Sequence, residues 1–336
     1  MLKLIRKEPV VLNHSAFRYC HASTVEIWEG RPTVCWFGGS FEAAPDSSIW
    51  CSRRGNSGWD GAVRLFGGSG VPLWNPVLYN DGSALHLYFK SGAVIAQWDS
   101  WQTQSLHGLE FSPAAEFAPK RNAFDVRGSA RNKPVLTSGG RLLMPGSAEG
   151  EFNRAFIDLS EDGGKTWHKG PELAPETLDD SQIGVKNEDI LVTAQSFVGR
   201  GVIQPSLWES SPGHIHALMR SSEAFIFRSD SEDDGRSWCI PYKTSLPNNN
   251  SGIDLAVLPD GSLVLACNPV GKNWGDRTPL VLDLSSDNGE TWKRIFTLED
   301  GRGEYSYPAL ICREDKLYLC YTANRKAIMY CEFAIE

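Results

Sequence analysis

The sequence predicts an all-β fold, a six-bladed β-propeller, on two independent series of evenly spaced turns. The first is the pattern Ser-x-Asp-x-Gly-x-(Thr/Ser)-Trp, found at Ser160–Trp167, Ser231–Trp238 and Ser285–Trp292. Each copy is a turn with a mechanism: Ser and Asp bond nearby backbone, Gly permits positive φ, and Trp begins the next strand. Degenerate copies end at Trp59 and Phe111, so the five aromatic ends lie 52, 56, 71 and 54 residues apart. The second series is of hairpin-type turns inside apolar runs, at Glu29-Gly30, Asp81-Gly82, Ser138-Gly139, Pro212-Gly213, Asp260-Gly261 and Glu314-Asp315. They recur with nearly the same period.

Both series carry their one long interval in the same place, which marks residues 172–196 as an insertion. Four strands per ~55-residue unit is the signature of a propeller blade. Six units fill residues 1–336 as one domain. The sixth lacks a Trp turn, as expected if an N-terminal strand, Val10–Phe17, completes it and removes an open sheet edge. A β-sandwich gives no reason for such a period.

Bulk composition narrows the function. The net charge of −8 argues against nonspecific nucleic-acid binding. No run reaches membrane-spanning length, and the N-terminus lacks the apolar core of a signal peptide. The expected location is the cytoplasm, or outside the cell if a signal was removed. The eight cysteines form no CxxC pair and mostly sit in apolar runs, so they read as free buried thiols. No metal or cofactor is expected.

Propeller geometry places the chemistry at the starts of the innermost strands. Four of these carry Pro, and the residues just before it are polar: Asn75, Lys133, Gln204 and Tyr307. Polar groups from separate blades aimed at one axis make a ligand pocket. His21 and the run Asn248–Asp254, with Asn250 and Asp254, hold the corresponding places. Second strands end at the same face with Lys90, Ser147, Arg220, Asn268 and Thr322, and Arg277 opens a further strand. Arg220 and Arg277 are placed to grip a carboxylate. Trp50, Trp74 and Trp274 are candidates for stacking on a sugar. His86, His214 and His216 read as ordinary strand residues, and Asp162, Asp233 and Asp287 as backbone caps in the Trp turns.

With these Trp turns and segments such as WFGGSFEAAPDSSIW, LPNNNSGIDLAVLPDG and EYSYPALI, the chain resembles the sialidase (neuraminidase) superfamily of BNR-repeat, Asp-box proteins, from about Cys20 to Phe333. The resemblance implies a retaining glycoside hydrolase acting exo on a carboxylate-bearing sugar. It implies Arg220 and Arg277 as two of three carboxylate-binding arginines, Tyr305 as nucleophile and Asp46 as acid/base. Two positions depart: His21 stands where the first arginine is expected, and Gln204 where the tyrosine's glutamate is expected. An amide takes no proton. Two alternatives therefore stand beside the hydrolase. One is a lyase or hydrolase of a uronate-containing glycan using His21 with Tyr305 or Tyr307. The other is a non-catalytic carbohydrate-binding propeller. In each, the expected partner is an acidic glycan.

Overall fold

The computed structural model describes residues 2–182 and 199–336. Part of the expected insertion, residues 183–196, lies outside them. The described chain is all-β: twenty-five strands, with two single-turn 3₁₀ segments at Ile95–Gln97 and Asp180–Gln182 as the only helical elements.

The strands form six successive antiparallel meanders. The first runs Tyr19–Trp28, Arg31–Gly39 and Ser48–Gly55, with the short strands Gly58–Trp59 and Val63–Phe66 on its outer edge. The second runs Leu73–Asn80, Leu85–Ser91, Asp99–Ser105 and Ala115–Glu116. The third comprises Val135–Leu136, Leu142–Ala148, Phe152–Ser160 and His168–Leu173. The fourth comprises Arg200–Ser211, His214–Ser221, Phe225–Ser231 and Tyr242–Pro247. A short parallel pairing of Phe152 with Arg200 and Asn153 with Gly201 joins these two into one sheet. The fifth runs Asp254–Val257, Leu263–Cys267, Leu280–Ser285 and Lys293–Glu299. In the sixth, Tyr305–Arg313, Lys316–Ala323 and Ala327–Ile335 are completed by the N-terminal strand Leu2–Leu12. The strand that completes this sheet is thus upstream of the expected Val10–Phe17, because alternation of buried residues begins at Leu2.

The leading strands, the first of each meander, are tied sideways. Thr24 accepts from the Leu78 amide at 3.2 Å, and Asn75 Nδ2 donates to Ala130 O at 2.8 Å. Asp254 binds the fourth and sixth leading strands through Ser206 Oγ at 2.7 Å and the Leu310 amide at 2.8 Å. The sixth leading strand in turn packs against the first. Apolar clusters lie between neighbouring sheets, as with Trp208, Leu218, Ile253, Leu265 and Val281 between the fourth and fifth. These inner strands are buried on both faces, and successive residues of each pack to opposite sides.

The three Trp turns share one hydrogen-bond pattern. Asp162 accepts from Ser160 Oγ, the amides of Lys165 and Thr166, and Thr166 Oγ1, at 2.6–3.0 Å. Asp233 and Asp287 do the same with Ser231 and Ser237, and with Ser285 and Thr291. The glycine each turn needs, Gly164, Gly235 or Gly289, has φ between 81° and 87°. Strand direction puts all three turns at the end opposite the leading-strand starts. They order the fold and stand away from the candidate site.

Candidate functional site

The starts of the leading strands converge on a cavity of about 230 Å³. A recurrent backbone device aims the side chains. Ala22, Asn75, Gln204 and Tyr307 all have positive φ, between 43° and 55°. Each lies at a break in pairing register, within the intervals His21–Thr24, Trp74–Val77, Ile203–Ser206 and Ser306–Ala309. A bulge of this kind re-aims one residue of an otherwise regular strand, and strained backbone of this kind clusters at functional sites. Asn250, at φ 59°, supplies the equivalent turn before the fifth leading strand.

Of the residues expected in the site, His21, Asn75, Gln204, Arg220, Arg277, Asn250 and Tyr307 line the cavity. Trp74 and Trp274 line it too, with Val94, Ile95, Ala96 and Trp98 completing an apolar wall. Trp50 does not; its ring packs against Phe17 and His14.

Four expected residues lie elsewhere. Asp46 is exposed and turned onto its own loop, accepting from Ser40 N at 3.0 Å and Ser40 Oγ at 2.5 Å. Those two bonds hold its carboxyl below the usual range. The same loop carries Glu42 to the cavity instead. Tyr305 precedes the bulge, so its ring stays with the apolar cluster of the fifth and sixth sheets, while Tyr307, within the bulge, lines the cavity. Lys133 Nζ gives its donors to both Asp254 carboxylate oxygens at 2.9 Å and to Leu255 O at 2.8 Å. Lys133 and Asp254 therefore tie leading strands together.

Three buried arginines line the cavity: Arg220, Arg277 and Arg325. Arg277 donates to Glu304 Oε1 at 2.8 Å. Arg325 Nε donates to both oxygens of Glu304, at 2.8 and 3.0 Å, and its Nη1 donates to Glu42 at 2.6 Å. Burial pushes the Glu304 carboxyl up, but the two guanidinium groups hold it below its ordinary value. Arg220 differs. Its five hydrogen bonds go to neutral oxygens only: Asn250 Oδ1 twice, Asn250 O, Gln204 Oε1 at 3.1 Å and the Tyr307 hydroxyl at 2.8 Å.

Tyr307 is the centre of the cluster. The guanidinium carbons of Arg131, Arg220 and Arg277 lie 5.3, 5.5 and 5.5 Å from its ring centroid. The His21 ring stands 4.2 Å away, centroid to centroid. Burial and then the charges of Arg325, Arg277, Arg131 and Arg220 push His21 well below its ordinary pKa, so it is a neutral base. Its Nδ1 meets Thr322 Oγ1 at 3.1 Å, and its Nε2 is buried with no hydrogen-bond partner among the described residues. Across the cavity, Gln204 Nε2 donates to Glu149 Oε1 at 3.2 Å. Burial pushes the Glu149 carboxyl up, against the opposing pull of Arg220.

Sequence reasoning missed Arg325, Glu149 and Glu42. Arg325 sits three residues past Thr322, in a turn whose Asn324 and Arg325 both have positive φ. The Asn-Arg pair was the available signal, at the same cavity end of the sheet.

The architecture is that of an all-β protein built of six successive antiparallel meanders. The chain belongs to the BNR repeat-like domain family, whose model matches residues 30–319. Among solved structures it is similar to a Dyadobacter fermentans protein of unknown function, with 12% identity, 100% of this chain and 99% of that one covered, and a TM-score of 0.76. It is also similar to the Hadza microbial sialidase Hz136, with 15% identity, 97% and 68% covered, and a TM-score of 0.76. The Trypanosoma rangeli sialidase in complex with DANA is a third, with 12% identity, 94% and 55% covered, and a TM-score of 0.70. No curated protein matches.

Proposed function

We propose that the six meanders are the blades of one six-bladed propeller spanning residues 1–336, and that its cavity is the active site of an exo-acting glycoside hydrolase for a carboxylate-bearing sugar. The observation that carries this reading is Arg220: a buried guanidinium on the cavity wall bonded only to neutral oxygens. A buried cation without a counter-ion is costly, and a substrate carboxylate supplies one bidentately.

In this reading Tyr307 takes the nucleophile role that the resemblance gave to Tyr305. Its phenol suits attack on an anomeric carbon beside a carboxylate, since it brings no second negative charge. Arg220 Nη1, 2.8 Å from the hydroxyl, stabilises the phenolate as it forms. His21, neutral and unpartnered at Nε2, is the base on the flank of the ring. Glu149, whose carboxyl burial pushes up, is the acid for the leaving oxygen. It replaces Asp46 in that role. The apolar wall of Trp74, Trp98 and Ile95 holds the sugar's less polar face.

The neutral His21 also favours a second reading, β-elimination from a uronate. There His21 removes the proton next to a carboxylate neutralised by Arg220. One panel separates the readings: sialic-acid and uronic-acid glycosides assayed for released sugar and for the absorbance of an unsaturated uronate, with wild type and Tyr307→Phe. Released sugar lost in Tyr307→Phe supports the hydrolase, and an absorbance rise supports the lyase. Tight binding without turnover makes the protein a carbohydrate-binding propeller. Neither turnover nor binding across the panel refutes the assignment.

A further inference from the structure

At the other end of the fourth meander, three side chains form a relay that the cavity does not use. Ser210 Oγ lies 2.7 Å from His216 Nε2, and His216 Nδ1 lies 2.5 Å from Asp230 Oδ1. They come from the end of the leading strand, the start of the second and the end of the third. His216 and Asp230 pair directly across the second and third strands. Pairing of the first two strands shifts between Glu209 and Ser211, so Ser210 is the bulged residue. The bulge turns its hydroxyl onto the imidazole, and the residue is exposed.

The surroundings fix the tautomer. Asn288 Nδ2 stands 3.2 Å from His216 Nε2, so that nitrogen faces two donors and is the acceptor. The ring proton is then on Nδ1 and is donated to Asp230. Asp230 also accepts from Arg228 Nε and from the Tyr242 hydroxyl, both at 2.8 Å. Burial opposes its ionisation, but these three donors hold the carboxyl at about 2. Arg228 Nη2 stands 3.1 Å from Nδ1. The imidazole is stacked on Trp208, 4.8 Å between centroids, which fixes its plane.

We infer that Ser210, His216 and Asp230 form a second catalytic site, a serine esterase centre for small carboxylic esters on the face opposite the cavity. The order of roles is that of a nucleophile, a base and the group that orients the base. Ser210 Oγ bonds to the ester carbonyl carbon as its proton passes to His216 Nε2. The ester C–O bond breaks, and the alcohol leaves with that proton. Water then gives a proton to Nε2 and adds to the acyl carbon. The Ser210–acyl bond breaks, Ser210 recovers its proton, and the acid is released. Asn288 Nδ2 is the side-chain donor at this centre for the developing oxyanion. Ser210 stands on open surface, which suits a short acyl group.

The test uses the full chain with a fluorophosphonate probe and with p-nitrophenyl acetate. The expected result is one phosphonyl adduct, formed with loss of fluoride and mapped to the Ser210 peptide. Ser210→Ala, an exposed substitution that leaves the fold and the cavity intact, removes the adduct and lowers ester hydrolysis at least tenfold. His216→Gln lowers both likewise. Absence of an adduct under conditions that label a known serine esterase overturns the proposal. So does ester hydrolysis unchanged in Ser210→Ala.

Discussion

Replacing Arg220 with Met tests the carboxylate role most sharply, because Met keeps much of the apolar stem and deletes the charge. A bidentate grip consists of two charge-assisted hydrogen bonds, each worth about 1.5–3 kcal/mol. Arg277 and Arg325 remain to compensate in part, which leaves a loss of about 3 kcal/mol, roughly 100-fold in Kd. The folded state changes less. Met leaves Asn250 O, Asn250 Oδ1 and Gln204 Oε1 without their donor, but it also removes a buried cation that has no carboxylate partner. These effects oppose each other, so Tm moves by only a few degrees. The assay is titration calorimetry with an acidic monosaccharide and with its methyl ester. The acid weakens about 100-fold in Arg220→Met while the ester is nearly unchanged. Equal weakening of acid and ester, or unchanged binding of the acid, refutes the reasoning.

Other outcomes follow from the same structure. Lys90 is buried against Ser100 Oγ, Arg127 O and Gly128 O, and burial pulls its pKa down to about 7. The unfolded chain binds this proton more tightly than the folded one, so stability rises with pH from about 7 towards the free-lysine value. In urea melts wild type gains stability relative to Lys90→Met as pH rises from about 7 to 9; a difference flat in pH contradicts this. Asp233→Ala removes the carboxylate that accepts from Ser231 Oγ, Ser237 N and Ser237 Oγ in a Trp turn and lowers Tm by roughly a few degrees. It leaves glycoside turnover intact, which a side-by-side melt and rate assay checks. A Cβ on Gly146 would come within 2.3–2.4 Å of the Phe156 ring. Gly146→Ala therefore costs about 1–3 kcal/mol, measured by denaturant unfolding, and a neutral result refutes the packing.

What the sequence disclosed follows from how local each feature is. The Trp turns were readable because Ser, Asp and Gly act within eight residues, and their bonds are the ones the residue types demand. The leading-strand starts were readable for a related reason: a polar residue before Pro recurs at a fixed phase of the repeat, at Asn75, Lys133, Gln204 and Tyr307. The bulges were not readable, and they put Tyr307 on the cavity wall while Tyr305, two residues earlier on the same strand, packs in the apolar cluster. Lys133 looked like a ligand group because its partner, Asp254, is 121 positions away. Glu42 and Arg325 come from opposite ends of the chain and meet where the first meander packs against the sixth. His216 was read as an ordinary strand residue, since its relation to Ser210 requires the bulge and its relation to Asp230 the third strand.

The most direct measurement is a crystal structure with a carboxylate-bearing monosaccharide bound. The account places the sugar in the cavity, with its carboxylate within hydrogen-bond distance of the Arg220 guanidinium and its anomeric carbon facing the Tyr307 hydroxyl. A sugar bound outside the cavity, or one whose carboxylate points away from Arg220, contradicts it.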